Sequence, residues 1–242
     1  MSQFVGYMVA GYPDRENSLR VIRDCCAAGM DILELGFPAA DASCDGKVIR
    51  EAQERADRSV AGDPDYWRRI RREIPIPIWL MGYRRDLLEG DVCLRMAEEK
   101  LYDALVIPDM TGAERAELRG KLAPLGVSVV GFIHDGMPAE ELDRELAEAD
   151  LIYHQLYRGP TGVAHTDSGY LKLYGYARER AKGKIYAGFG ISTAERVREL
   201  LEHGYDGAVI GSAIVQHLTE GEDRAVSFIR EIHETVRKEG AE

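Results

Sequence analysis

Residues 31–46 read DILELGFPAADASCDG. The first half has the composition of a buried strand, yet Glu34 stands inside it. An unpaired buried carboxylate is costly, so Glu34 either has a partner or performs work. Strand side chains alternate between faces, so Glu34 shares a face with Ile32 and Gly36, while Leu33 and Leu35 share the other. A glutamate is accommodated far more readily at the inner mouth of a closed sheet than beneath a helix. Burial there would raise its pKa and let it carry a proton near neutral pH. From this strand alone, a satisfied internal carboxylate is an equal alternative. Asp45 follows eleven residues after Glu34; with Gly46 behind it, the pair also fits plain turn chemistry.

Working outward, short apolar runs recur along the whole chain: FVGYMV, DILELG, IPIWLMG, DALVIPD, VSVVGFI, LIYHQLY, KIYAGFG and DGAVIGS. Between most of them lie amphipathic segments such as RENSLRVIRDCCAAGM, with apolar residues at helical spacing. Gly29, Gly126 and Gly204 stand where such helices stop. Eight strands, each followed by a helix, predict a closed (β/α)₈ TIM barrel of the phosphate-binding type, a single domain over residues 1–242. An open doubly wound sheet is the rival. MVAGYPDRENS, after the first strand, carries no glycine-rich dinucleotide fingerprint.

The chain has 242 residues, 45% of them hydrophobic and 30% charged, with a formal net charge of −11. That balance speaks against general nucleic-acid binding, which needs a basic surface. A phosphorylated ligand stays open, because backbone N–H groups bind phosphate locally. Cys25, Cys26, Cys44 and Cys93 form no C-x-x-C pair, which fits a reducing compartment. The N-terminal stretch has no signal-peptide pattern and no segment approaches transmembrane length, so a cytoplasmic protein is expected. The six histidines show no metal-ligand spacing, so no metal is expected. His203 and His233 read as helix-surface residues, and His134 and His154 as strand or near-strand residues with structural or solvated roles. WRRIRREIP reads as a solvated helix face anchored by Trp67.

In such barrels the chemistry lies at the C-terminal ends of the strands. YAGFGIST and AVIGSAIV end the seventh and eighth. Gly188, Gly190 and Gly211 let backbone approach a ligand, and Ser192 reads as a helix N-cap. GSAIV is expected to open a short helix whose N–H groups face the mouth. RGPTGVAHTDSG, after the sixth strand, reads as a mobile loop, and Thr161 and Gly162 within it could donate to the same phosphate.

Together these residues resemble the α subunit of tryptophan synthase. The resemblance rests on Leu33-Glu34-Leu35-Gly36, Asp45-Gly46, Thr161-Gly162, Gly188-Phe189-Gly190-Ile191-Ser192 and Gly211-Ser212-Ala213-Ile214-Val215, in order over nearly the whole chain. It implies cleavage of indole-3-glycerol phosphate to indole and glyceraldehyde 3-phosphate, a retro-aldol-type reaction without a cofactor. It also implies Glu34 as general acid–base and Asp45 as acceptor of the indole N–H. Thr161, Gly162, Gly190, Gly211 and Ser212 would then hold the phosphate, and Tyr7, Tyr153 and Phe189 would line the pocket. Asp109 matches a family aspartate outside the catalytic pair.

The sequence also departs from the family. It starts almost at the first strand, where the family carries a short helix, so self-association as a homo-oligomer is one way to cover that end. Ala39, Ala42, Ser43 and Lys47 replace the proline-rich, aromatic-containing loop that docks the β subunit, which weakens the expectation of a β partner. Gly82 precedes Tyr83 where the family places a tyrosine directly after Leu-Met, and Tyr157-Arg158 replaces Arg-Ser. These changes keep two alternatives in view: a related lyase acting on another phosphorylated substrate, and a non-catalytic binding protein. Retention of both carboxylates favours an enzyme.

Overall fold

The computed structural model describes residues 2–157 and 169–239. Among them nine parallel strands form one sheet: β1 (Gln3–Val9), β2 (Ile32–Gly36), β3 (Ile78–Met81), β4 (Ala104–Val106), β5 (Ser128–Val129), β6 (Gly131–His134), β7 (Leu151–Gln155), β8 (Lys184–Gly188) and β9 (Gly207–Ile210). Their spatial order is β5-β4-β3-β2-β1-β9-β8-β7-β6. The two outer strands of that order, β5 and β6, are consecutive in the chain and separated by Val130 alone. The Val130 N–H still bonds Leu105 O at 2.9 Å. One run of chain therefore pairs first with β4 and then with β7. The fifth strand expected from VSVVGFI is divided between two neighbours, and that division brings the ring round into a TIM barrel.

Among the described residues eleven α-helices accompany the strands: α1 (Arg15–Ala27), α2 (Lys47–Arg55), α3 (Pro64–Glu73), α4 (Arg84–Leu87), α5 (Val92–Glu98), α6 (Gly112–Leu122), α7 (Ala139–Glu148), α8 (Tyr170–Arg180), α9 (Ala194–Glu202), α10 (Ser212–Glu220) and α11 (Glu222–Glu239). Their apolar stripes pack on the outward side of the strands, where Leu33 and Leu35 of β2 meet Ile22, Ile70 and Leu87 in one large core. Each such side chain contributes about 1.5–3 kcal/mol when fully buried. A second, smaller core fills the barrel interior with Val5, Ile32, Trp79, Val130, Tyr186 and Val209. Trp79 and Tyr186 meet there edge to face, with centroids 5.0 Å apart.

Strand parity follows this division. Ile32 belongs to the interior core, so Glu34, two residues on, points inward as the alternation predicts. His154 of β7 points outward; its Nδ1 meets the Tyr205 hydroxyl at 2.8 Å. Burial lowers its pKa to about 3, so it stays neutral and structural. His203 is exposed. His233, read as a surface residue, is half-buried with Nδ1 2.8 Å from Gly29 O, because α11 leans on the end of α1. Trp67 of α3 anchors its helix through Nε1 to Val60 O at 2.9 Å. The arginines beside it stay at the surface in ion pairs with Glu99, Glu73 and Asp103.

Candidate active site

A cavity of about 350 Å³ opens at the C-terminal ends of the strands. Glu34 and Asp45 line it, as do Tyr7, Tyr153 and Phe189 and the turn residues Gly190, Gly211 and Ser212. The structure thus brings together eight of the ten residues singled out from the sequence. The other two, Thr161 and Gly162, lie outside the described residues.

Glu34 is 4% exposed. Its register partners are Tyr7 of β1 and Trp79 of β3, so it sits between aromatic rings. Burial, helped by the negative charge of Asp45, raises its pKa to about 8. Asp45 is 6% exposed and stands at the end of a loop, directly before α2. That loop closes through Asp45 N–H to Ala42 O at 3.0 Å. Burial raises Asp45 to about 6, opposed by a hydrogen bond from Tyr83 and the charge of Arg50. Gly46 has φ −65° and ψ 159° as N-cap of α2. Any residue adopts that conformation, so the turn that closes between Ala42 and Asp45 does not depend on a glycine at 46. Asp41 stays exposed, binding Ser43 N–H at 2.9 Å, and Asp109 accepts from Arg84 N–H at the start of α4.

Glycine makes room for the aromatic walls. A Cβ on Gly36 would lie 2.4 Å from the Tyr7 hydroxyl, and one on Gly188 would lie 2.0 Å from Tyr153 Cε1. Both tyrosines are pushed up in pKa by burial first, so they remain protonated. Phe189 (φ 72°) and Gly190 (φ 74°) are both left-handed. A phenylalanine there costs about 1–3 kcal/mol of backbone strain. The turn places its ring 5.7 Å from that of Tyr153, edge to face.

On the far side of Tyr7, β9 runs into α10 with Gly211 as N-cap. No side chain caps this helix, so its first N–H groups are left for a ligand, with the positive end of the helix dipole behind them. At α9 the N-cap is Thr193, bonded to Arg196 N–H at 3.2 Å, rather than Ser192. The helix begins one residue later than expected, which leaves Ser192 on the cavity wall.

Two supporting residues escaped the sequence reading. Gln53 of α2 is buried, bonding Tyr7 Oη and Phe37 O at 3.4 Å each and accepting from Ala39 N–H at 3.1 Å. A polar residue one helical turn after buried Ile49 was its signal. Tyr83, in the sequence only a displaced family tyrosine, is buried and holds the Asp45 pKa down against the effect of burial.

The family model described as tryptophan synthase alpha chain matches residues 1–241. The chain belongs to the tryptophan synthase alpha chain family. That family consists of lyases that cleave indole-3-glycerol phosphate. Among its relatives, the tryptophan synthase alpha chain of Pelodictyon phaeoclathratiforme is 31% identical over 230 residues, covering 88% of this chain and 86% of that protein. That of Phenylobacterium zucineum is 30% identical over 249 aligned residues, covering 97% and 90%. The fold agrees with tryptophan synthase from Mycobacterium tuberculosis, with a TM-score of 0.86 at 23% identity, covering 98% of this chain and 93% of that one. It agrees also with tryptophan synthase subunit alpha from Legionella pneumophila, with a TM-score of 0.84 at 21% identity, covering 98% and 93%. Among the described residues, no helix is long and apolar enough to cross a membrane.

Proposed function

We propose that this chain performs its family's cleavage, an aldolase-type breaking of a carbon–carbon bond, with Glu34 and Asp45 in the two chemical roles. The observation that carries the reading is the arrangement of the cavity. A buried, protonated carboxyl and a buried, ionised one line it, and its other side is an uncapped helix N-terminus.

Glu34 delivers its proton to indole C3. The ring becomes cationic, and Asp45 accepts a hydrogen bond from the ring N–H and stabilises that charge. The Glu34 carboxylate then takes the proton of the side-chain hydroxyl next to C3. As that O–H bond breaks, the carbonyl of glyceraldehyde 3-phosphate forms. The electron pair of the broken carbon–carbon bond returns to the ring, releasing neutral indole. One proton is given and one recovered, so the step needs no cofactor. The N–H groups of Gly190, Gly211 and Ser212 hold the phosphate, joined by Thr161 and Gly162. Tyr7, Tyr153 and Phe189 confine the indole ring.

All four cysteines are unpaired, which suits the reducing cytoplasm as the place of work. The test is indole release from indole-3-glycerol phosphate, first by the chain alone and then with a tryptophan synthase β subunit added. Glu34→Gln should lower kcat by about 10²–10⁴-fold, the usual share of a general acid–base group. Equal rates in wild type and Glu34→Gln under both conditions would sink the reading.

A further inference from the structure

Gln53 reaches from α2 back to the start of the loop that ends in Asp45. It is 3% exposed, and its amide meets two backbone groups of fixed character. Ala39 N–H can only donate, and does so to Gln53 Oε1 at 3.1 Å. Phe37 O can only accept, and takes a hydrogen bond from Nε2 at 3.4 Å. These two partners decide which way round the amide lies. Nε2 then also donates to Tyr7 Oη at 3.4 Å.

Residues 37–39 and Asp45 are buried, and the residues between them are half-buried or exposed. The near end of this loop is fixed to the sheet. Phe37 N–H bonds Met81 O at 2.7 Å, and its ring stacks on Trp67. The far end runs through Asp45 and Gly46 into α2. That helix rests on the barrel through a small apolar cluster, in which Ile49 and Ala52 meet Tyr7, Val9 and Val215. Apolar contact is non-directional, so it fixes the depth of α2 better than its position along the groove. The Gln53 amide supplies the directional link between the two ends.

We infer that Gln53 is a positioning residue: by tying α2 to the backbone of Phe37 and Ala39, it sets where Asp45 stands relative to Glu34. The chemical use of that setting rests on the proposed lyase function; the tie itself does not. Gln53 stands behind Tyr7 and the loop, outside the cavity lining, so it acts through them. In the proposed cleavage the ring charge that Asp45 stabilises develops only as C3 takes its proton, while the phosphate is held across the cavity at α10. A displaced Asp45 therefore weakens the transition state more than the bound substrate, and the loss falls on kcat rather than on KM.

Gln53→Met keeps an unbranched side chain of similar size and removes the amide. Kinetics are measured in whichever condition releases indole, the chain alone or with a β subunit, and corrected for the folded fraction by circular dichroism. The expected result is a kcat about 10–100-fold lower with KM little changed. Gln53→Glu, assayed at about pH 6 where burial keeps its carboxyl protonated, retains an acceptor and a donor and should recover most of that loss. Should Gln53→Met fail to fold, Gln53→Asn takes its place, since its amide is one methylene short of the loop. A lowered Tm with unchanged kcat per folded molecule, a loss confined to KM, or no recovery in Gln53→Glu would each overturn the inference. If wild type releases no indole in either condition, the lyase reading fails on its own. Amide hydrogen exchange then decides the tie, with the Phe37 N–H as internal reference. Faster exchange at Ala39 alone in the variant retains it, and equal rates remove it.

Discussion

At neutral pH Glu34 carries a proton and Asp45 does not, because burial among aromatic rings raises the first to about 8 and the second only to about 6. The proposed cleavage needs that order. The kcat/KM profile should therefore be bell-shaped, with an acidic limb near 6 from Asp45 and a basic limb near 8 from Glu34. A profile flat from pH 5 to 9 would remove both from the chemistry. Replacing Glu34 should move stability the opposite way to activity. In the unfolded chain this carboxyl ionises near its ordinary value of 4.5, and in the fold near 8. Between those values the native state holds a proton that the unfolded chain has released, so stability falls as pH rises through that window. Glu34→Gln cannot ionise. It should be more stable than wild type above pH 8, by on the order of a few kcal/mol, and indistinguishable from it below pH 4. Urea unfolding at the two pH values checks this. At this scale much was legible: a charged residue on the inward parity of an apolar strand announces itself. Gln53 was not, because its bonds to Tyr7 Oη and Phe37 O reach from α2 back to β1 and the loop after β2, and one sequence carries no record of such pairings.

Between helices α6 and α7 lies the chief buried charge cluster among the described residues. Arg115 Nε donates to Glu145 Oε1 at 2.6 Å, and Arg119 pairs with the other oxygen. Glu145 is fully buried and Arg115 nearly so. The Arg115 guanidinium also lies over the ring of Phe132, 5.4 Å from its centroid, and Phe132 lines the cavity. Removing Glu145 leaves Arg115 and Arg119 with only longer pairs to more exposed carboxylates, Glu141 at 3.8 Å and Glu148 at 3.4 Å. Glu145→Gln should cost about 3–5 kcal/mol, read as a lowered urea midpoint, whereas exposed Glu140→Gln, whose pair with Arg144 is at the surface, should cost at most about 1 kcal/mol. The sequence hides this cluster. AEELDRELAE is an ordinary amphipathic run, and its partners lie about one helix–strand unit earlier. What the elements did show was their type and order, since apolar spacing reports the face each one buries. The handover at Val130 stays hidden for the same reason: VSVVGFI is apolar but for Ser128, and nothing in it marks a change of neighbour.

The whole ring contributes to one cavity, whose walls come from strands on every side: Tyr7, Glu34, Met81, Val106, Phe132 and Tyr153 among them. A ligand seated there is in contact with most of the sheet and binds only the folded state. An unreactive indolylalkyl phosphate at one hundred times its Kd should add about 2.7 kcal/mol of stability. For a chain of this size that is an upward shift in Tm of roughly 5–10 °C, measurable by calorimetry. A shift that inorganic phosphate matches in full would mean that only the glycine turns are engaged. The chain carries a net charge of −11, so an anionic ligand must be drawn in by local dipoles at α10 rather than by the general field. Charge totals could not reveal this. The glycine turns after the last two strands could, since phosphate sites in such barrels recur there.

The chain has two tryptophans, and they have different neighbours. Trp67 stacks on Phe37 at 5.4 Å, on the outer side of the sheet. Trp79 stands inside the ring as the register partner of Glu34. An excited indole is sensitive to a carboxyl beside it and to whether that carboxyl holds a proton. Replacing Trp67 by phenylalanine would leave one tryptophan, beside the Glu34 carboxyl, so the colour and yield of its light would follow the proton on Glu34 without any added dye.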